Sequence, residues 1–132
     1  MKYILTLLLL IQFAYGERLK VIESLADIPK NKNVLLMFSM DFCPYCSRQE
    51  SSILNKIKPQ FPNIEYLKVK RGTNIFQELI ETGNFGEVEY YPTSFILIKE
   101  EDSTLFVKYP FKGWQRSRDI IKILNDKDIM DE

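Results

Sequence analysis

The chain has 132 residues, 18 lysines and arginines balanced by 18 aspartates and glutamates, two cysteines and no histidine. That balance gives no electrostatic reason to bind nucleic acid or an anionic membrane. The missing imidazole removes Ser-His-Asp and Cys-His hydrolases, and two cysteines without histidine cannot supply the four ligands of an ordinary zinc site.

In chain order, the first segment reads as an address. Lys2 precedes an apolar run from Ile4 to Ile11 broken only by Thr6, and Ala14-Tyr15-Gly16 then places small residues at the −3 and −1 positions of a cleavage site. The run is shorter than the roughly 20 residues that span a bilayer, which argues against a retained anchor. No cysteine sits at the cleavage point, against a lipid-anchored form. Residues 1–16 are therefore expected to be a cleaved secretory signal and 17–132 a single domain, secreted or periplasmic. Its roughly 116 residues suffice for one core, and loss of Lys2 leaves a net charge of about −1.

Leu19 to Ile22 reads as a short strand, Ser24 to Ile28 as a helical turn stopped by Pro29, and Lys30-Asn31-Lys32-Asn33 as a polar turn. Val34 to Ser39 is nearly continuous in apolar residues, the pattern of a central strand buried on both faces. Pro44 to Lys58 favours helix, with Pro44 in the first turn, Ile53, Leu54 and Ile57 on one face, and Pro59 as the stop. Ile64 to Val69 predicts a strand, and Asn74 to Thr82 a helix capped by Thr73 or Asn74 and ended by Gly83. Ser94 to Lys99 and Thr104 to Tyr109 form a hairpin pattern around Glu100-Glu101-Asp102-Ser103. Ser117 is suited to cap a last helix burying Ile120, Ile121 and Leu124, followed by a frayed acidic tail from Asp126. The order is β-α-β-α-β-α-β-β-α, an α/β pattern without internal repeat.

Both cysteines stand in Cys43-Pro44-Tyr45-Cys46, between a buried strand and a helix start. That spacing in that place predicts a dithiol redox site. The competing reading is a structural bridge, but a bridge closing so short a loop removes little unfolded-state entropy. At a helix N-terminus, open backbone N–H groups and the helix dipole favour negative charge. Cys43 is thus expected to be the nucleophile with a lowered pKa, and the more shielded Cys46 the resolving thiol. Pro44 removes one N–H from the surroundings of the Cys43 sulfur, and Tyr45 offers a flat contact surface.

These features resemble the thioredoxin fold: a central mixed β-sheet flanked by helices, with C-x-x-C opening the helix after the second strand. A second landmark is Tyr91-Pro92-Thr93 before the strand Ser94-Phe95-Ile96-Leu97-Ile98, where the resemblance implies a cis-proline beside the active site. Phe85-Gly86-Glu87-Val88 resembles the family's approach to that proline, with one residue more between, and Gly113 matches the glycine before the final helix. Gly113-Trp114-Gln115 is similar to small exported bacterial thioredoxin-like proteins, including those associated with sulfur oxidation. The resemblance implies that Tyr91 and Pro92 line a substrate groove with Pro44 and Tyr45.

The departures bear on mechanism. Met37 stands where thioredoxins carry a buried acid, leaving Asp41 or Glu50 to act through water. Phe42 replaces the usual tryptophan before the first cysteine, Pro44-Tyr45 is the glutaredoxin dipeptide, and Ser51 replaces the proline that kinks the active helix. Tyr90 and Tyr91 also suit partial burial against a helix, and Trp114 and Phe111 suit packing on the last helix as well as a contact patch. Lys68 and Lys70 read as keeping a strand edge soluble, with a place beside the site as the alternative.

The expected function is an exported thiol–disulfide oxidoreductase, a monomer that reduces protein disulfides with no cofactor or metal beyond its own disulfide. A membrane electron donor is expected to recycle it in an oxidising compartment. The alternatives are a periplasmic disulfide oxidase or isomerase, a glutathione-dependent glutaredoxin, and a non-catalytic module that binds a partner through the Tyr91-Pro92 groove.

Overall fold

A computed structural model describes residues 18–131; the expected secretory signal lies outside the described residues. Five strands form one mixed sheet in the order β1-β3-β2-β4-β5. They are β1 (Lys20–Val21), β2 (Asn33–Ser39), β3 (Glu65–Lys70), β4 (Thr93–Lys99) and β5 (Leu105–Phe111). β3 runs parallel to both β1 and β2, whereas β4 is antiparallel to β2 and to β5. The helices are α1 (Pro44–Ser52), α2 (Asn74–Thr82), α3 (Ser117–Leu124) and a short α4 (Lys127–Met130), with a 3₁₀ turn at Leu25–Asp27.

β2 occupies the centre because it is apolar on both sides; Val34 to Phe38 are all at most 1% exposed. Burying each such side chain contributes roughly 1.5–3 kcal/mol. Alternation along the strand divides the interior. Val34, Leu36 and Phe38 join Leu67, Val69, Phe95 and the α2 residues Ile75 and Leu79 on one face. Leu35 and Met37 join Ile53, Ile57, Tyr66 and the α3 residues Ile120 and Leu124 on the other.

Several expected boundaries move. The helix foreseen from Pro44 to Lys58 is α-helical only to Ser52 and continues as a π turn over Ile53–Ile57, closed by Lys58 N–H donating to the Ile53 carbonyl at 2.8 Å. A π turn widens the ladder by one residue. Its Ile53 and Ile57 are buried in the core. The last strand begins at Leu105 and runs on through Pro110 to Phe111; β5 is an edge, where a missing N–H is tolerated. The α3 cap is Arg116, with Ser117 already helical, and the expected frayed tail instead forms α4, capped by the Asp126 carboxylate. Gly83 does end α2, and a Cβ there would run into the Phe85 ring.

Candidate functional site

β2 ends at Ser39, and four residues later the chain turns into α1. Phe42 takes a left-handed φ of 58° and holds its ring wholly in solvent, a backbone state that costs a residue with a Cβ on the order of 1 kcal/mol. Cys43 follows as the N-cap of α1 in extended conformation (φ −115°, ψ 101°) with Pro44 as the first helical residue. The Cys43 sulfur accepts the Cys46 N–H at 3.2 Å, so an open donor of the helix start points at it. Cys43 and Cys46 are joined by a disulfide. Their surroundings differ: Cys43 is half-buried, whereas Cys46 is 5% exposed.

The Tyr91–Pro92 peptide bond is cis, and the Tyr91 carbonyl oxygen lies 3.7 Å from the Cys43 sulfur. Thr93 holds this approach in place: its hydroxyl donates to the Tyr90 carbonyl at 2.6 Å and accepts the Gly113 N–H at 3.3 Å. Gly113 has a φ of 76°, a conformation that favours a residue without Cβ. The two tyrosines separate. Tyr91 turns its ring toward Phe76 of α2 and under Arg71, so it meets the site by its backbone, while Tyr90 is exposed. Pro44 and Tyr45 are exposed beside Cys43, with the Arg48 guanidinium 5.6 Å from the Tyr45 ring centre.

Beneath the cysteines, α1 faces β3. Glu50, one helical turn after Cys46, is buried and accepts two hydrogen bonds from the Lys68 ammonium at 2.9 and 3.1 Å, plus the Leu19 N–H at 2.8 Å. Cys43, Cys46, Glu50 and Lys68 all line one cavity of about 400 Å³, roomy enough for ordered water between polar groups. Lys68 sits opposite Met37 across the β2–β3 pair. The strand position that lacks an acid is thus answered by a carboxylate from the helix. Asp41 takes a different place, exposed at the rim and 3.5 Å from Lys70.

The edge-strand reading of Lys68 and Lys70 is corrected here. β3 lies between β1 and β2, Lys68 is 7% exposed and ion-paired, and both lysines line the site cavity. Sequence reasoning also passed over Gln49. It is buried, donating to the Gln115 carbonyl at 3.1 Å and accepting the Gln115 N–H at 2.7 Å. This reciprocal amide pairing fastens α1 to the loop that carries Trp114. The signal for Glu50 was present in its spacing, since residues four apart share a helix face. Phe111 is buried and packs on Tyr109, whereas Trp114 is 44% exposed.

The strand order, the helices on both faces, the disulfide at the start of α1 and the cis-proline before β4 define a protein of the thioredoxin fold. Solved structures agree. A thioredoxin-like protein from Clostridium perfringens superposes with a TM-score of 0.62 at 21% identity, covering 86% of this chain and 82% of its own. Mitochondrial thioredoxin 3 of Saccharomyces cerevisiae, in its oxidised form, gives 0.59 at 17% identity over 86% and 95%. Thioredoxin O2 of Arabidopsis thaliana, also oxidised, gives 0.60 at 16% identity over 81% and 91%. No protein-family model matches the chain, and no curated protein sequence matches it.

Proposed function

We propose that this protein is a thiol–disulfide oxidoreductase acting on protein disulfides, with Cys43 as nucleophile and Cys46 as resolving thiol. One observation carries the reading: the Cys43 sulfur stands half-exposed at the N-cap of α1 and meets the Tyr91 carbonyl, while its bonded partner Cys46 is buried. A passive bridge has no need of that asymmetry.

In the reducing direction the Cys43 thiolate attacks one sulfur of a substrate disulfide. A mixed disulfide forms and the first substrate thiolate leaves. Cys46 then attacks the Cys43 sulfur, the mixed disulfide breaks, and the second substrate thiol departs. Two electrons pass to the substrate and the Cys43–Cys46 disulfide remains. Before its attack Cys46 gives up a proton into the cavity that it lines. Glu50 is the buried carboxylate that lines this space, and it receives the proton through water; Lys68 holds it in place. The extended segment at Tyr91, with Pro44 and Tyr45, is the surface for the substrate strand. No cofactor or metal enters these steps.

The apolar segment from Ile4 to Ile11 with Ala14-Tyr15-Gly16 supports export to an oxidising compartment. There a membrane electron donor returns the disulfide to the dithiol. We favour reduction over oxidation or isomerisation, and we take the monomer as the working form.

Cys46→Ser tests this reading. Cys43 should then accumulate as a mixed disulfide with substrate proteins, visible as a mass increase lost on reduction, and Cys43→Ser should trap nothing. A partner retained by Cys46→Ser without a covalent link would instead support a binding module.

A further inference from the structure

A cleft of about 740 Å³ opens between α1, from Ser47 just after Cys46, and the start of α3. Four cationic side chains line it, Arg48, Lys56, Arg116 and Arg118, and no aspartate or glutamate does. In a chain whose charges sum to zero, this is a local surplus of one sign. The four are weakly engaged elsewhere. Arg118 lies 3.8 Å from the exposed Asp119, Arg48 leans on the Tyr45 ring, and neither Lys56 nor Arg116 has an ion pair among the described residues. Arg116 caps α3 without a side-chain acceptor, so the positive end of that helix adds to the same field. In the loop leading to Tyr90 and Pro92 the balance is acidic instead, since Glu87 and Glu89 are exposed and share their pocket with one cation, Lys112.

Resting on the redox reading for its purpose but not for its chemistry, we propose that this cleft binds an acidic segment of the protein partner, next to the cysteine that reacts with Cys43. The polarity across the site fixes the direction: the acidic segment leaves Cys43 along α1 and not past Glu87 and Glu89. Distances set its length. At 1.5 Å per helical residue, Arg48 lies about 7 Å from Cys43 along α1, and Lys56, in the wider π turn that continues it, just under about 20 Å. An extended chain advances about 3.3 Å per residue, so the acidic residues fall roughly two to six positions from the partner cysteine. Trp114 forms part of the wall, its loop fastened by the Gln49–Gln115 pairing.

Trp114 is the sole tryptophan of the sequence and reports occupancy directly. Full-chain protein is titrated with a cysteine-free peptide of six glutamates and with its six-glutamine counterpart, following tryptophan emission at low salt. The glutamate peptide should give a saturable change and the glutamine peptide none. Its apparent affinity should fall at least about tenfold in 0.5 M salt, where exposed charges are screened beyond a few ångströms. The same loss is expected in Lys56→Gln/Arg116→Gln, whose exposed positions leave the fold and circular dichroism unchanged, while Glu87→Gln/Glu89→Gln keeps binding. No saturable change, equal response to both peptides, or undiminished affinity in Lys56→Gln/Arg116→Gln would overturn the proposal. The redox reading fails separately: the peptide still binds, but Cys46→Ser traps no mixed disulfide with a disulfide-bearing version of it.

Discussion

Toward α2, β2 presents Val34, Leu36 and Phe38, and the side chains gathered there are aliphatic and aromatic. Phe38 alone meets the rings of Phe76, Phe85 and Phe95 with centroids 5.1 to 5.6 Å apart. Toward α1 and α3 the same strand presents Leu35 and Met37, yet among their neighbours are a buried carboxylate, a buried ammonium and a buried amide. Both faces are closed to solvent and each buries an ammonium, but on the first Lys99 donates to the Leu25 and Ile28 carbonyls, whereas only on the second is the ammonium paired with a carboxylate. Each of these is paired: Glu50 with Lys68 and Leu19, and Gln49 with Gln115. The cysteines open the helix that covers this second face. One face is built on ring packing, and the other sets a carboxylate in the cavity that the two sulfurs line.

Breaking the apolar face should have the largest effect on stability. Phe38→Ala empties the centre of an aromatic cluster and should cost about 3–5 kcal/mol in denaturant unfolding. Once folded, the protein should keep the alkylation behaviour of its reduced cysteines. Lys68→Met comes next, because it strands a buried carboxylate and should cost about 3 kcal/mol. Adding Glu50→Gln should return stability to within about 1 kcal/mol of the parent, since the charge that needed a partner is gone. That double variant takes the ion pair out of the second face. It should fold well and yet resolve mixed disulfides about a hundredfold more slowly, the low side of what a positioned base supplies.

A smaller effect separates the faces by pH. Burial pushes the Tyr66 hydroxyl up to about 12 from its ordinary value of 10.0, and the hydroxyl donates to the Phe61 carbonyl at 2.7 Å. Below pH 10 the group is neutral folded and unfolded, so its contribution is fully present. Between pH 10 and 12 the unfolded chain ionises first, and stability falls as pH rises, by up to about 2–3 kcal/mol. Tyr66→Phe should flatten that limb in urea midpoints measured across the range.

Much of this arrangement was legible in the residues. The apolar run from Val34 to Phe38 marks a central strand, and Cys43 and Pro44 mark a helix start. Tyr91-Pro92-Thr93 announced the second landmark through resemblance. What stayed hidden depends on which elements become neighbours. Lys68 reads as a solubilising edge residue until β3 is seen between β1 and β2, where an ammonium needs the carboxylate that α1 supplies. Gln49 carries no mark of its role in the sequence because its partners are backbone groups 66 positions away. The π turn was hidden for a local reason. Ile53, Leu54 and Ile57 carry the same spacing for either helix type, so widening of the ladder leaves no mark in the pattern.

Site-resolved alkylation of the reduced protein across pH tests the central claim, that α1 and its covered face divide the labour between two sulfurs. Cys43 should react first, with an apparent pKa below about 7.5 as expected for a thiolate at a helix start, and Cys46 should stay protected. Equal reactivity of the two, or a Cys43 pKa at or above the 8.5 or so of a free cysteine, would contradict the account.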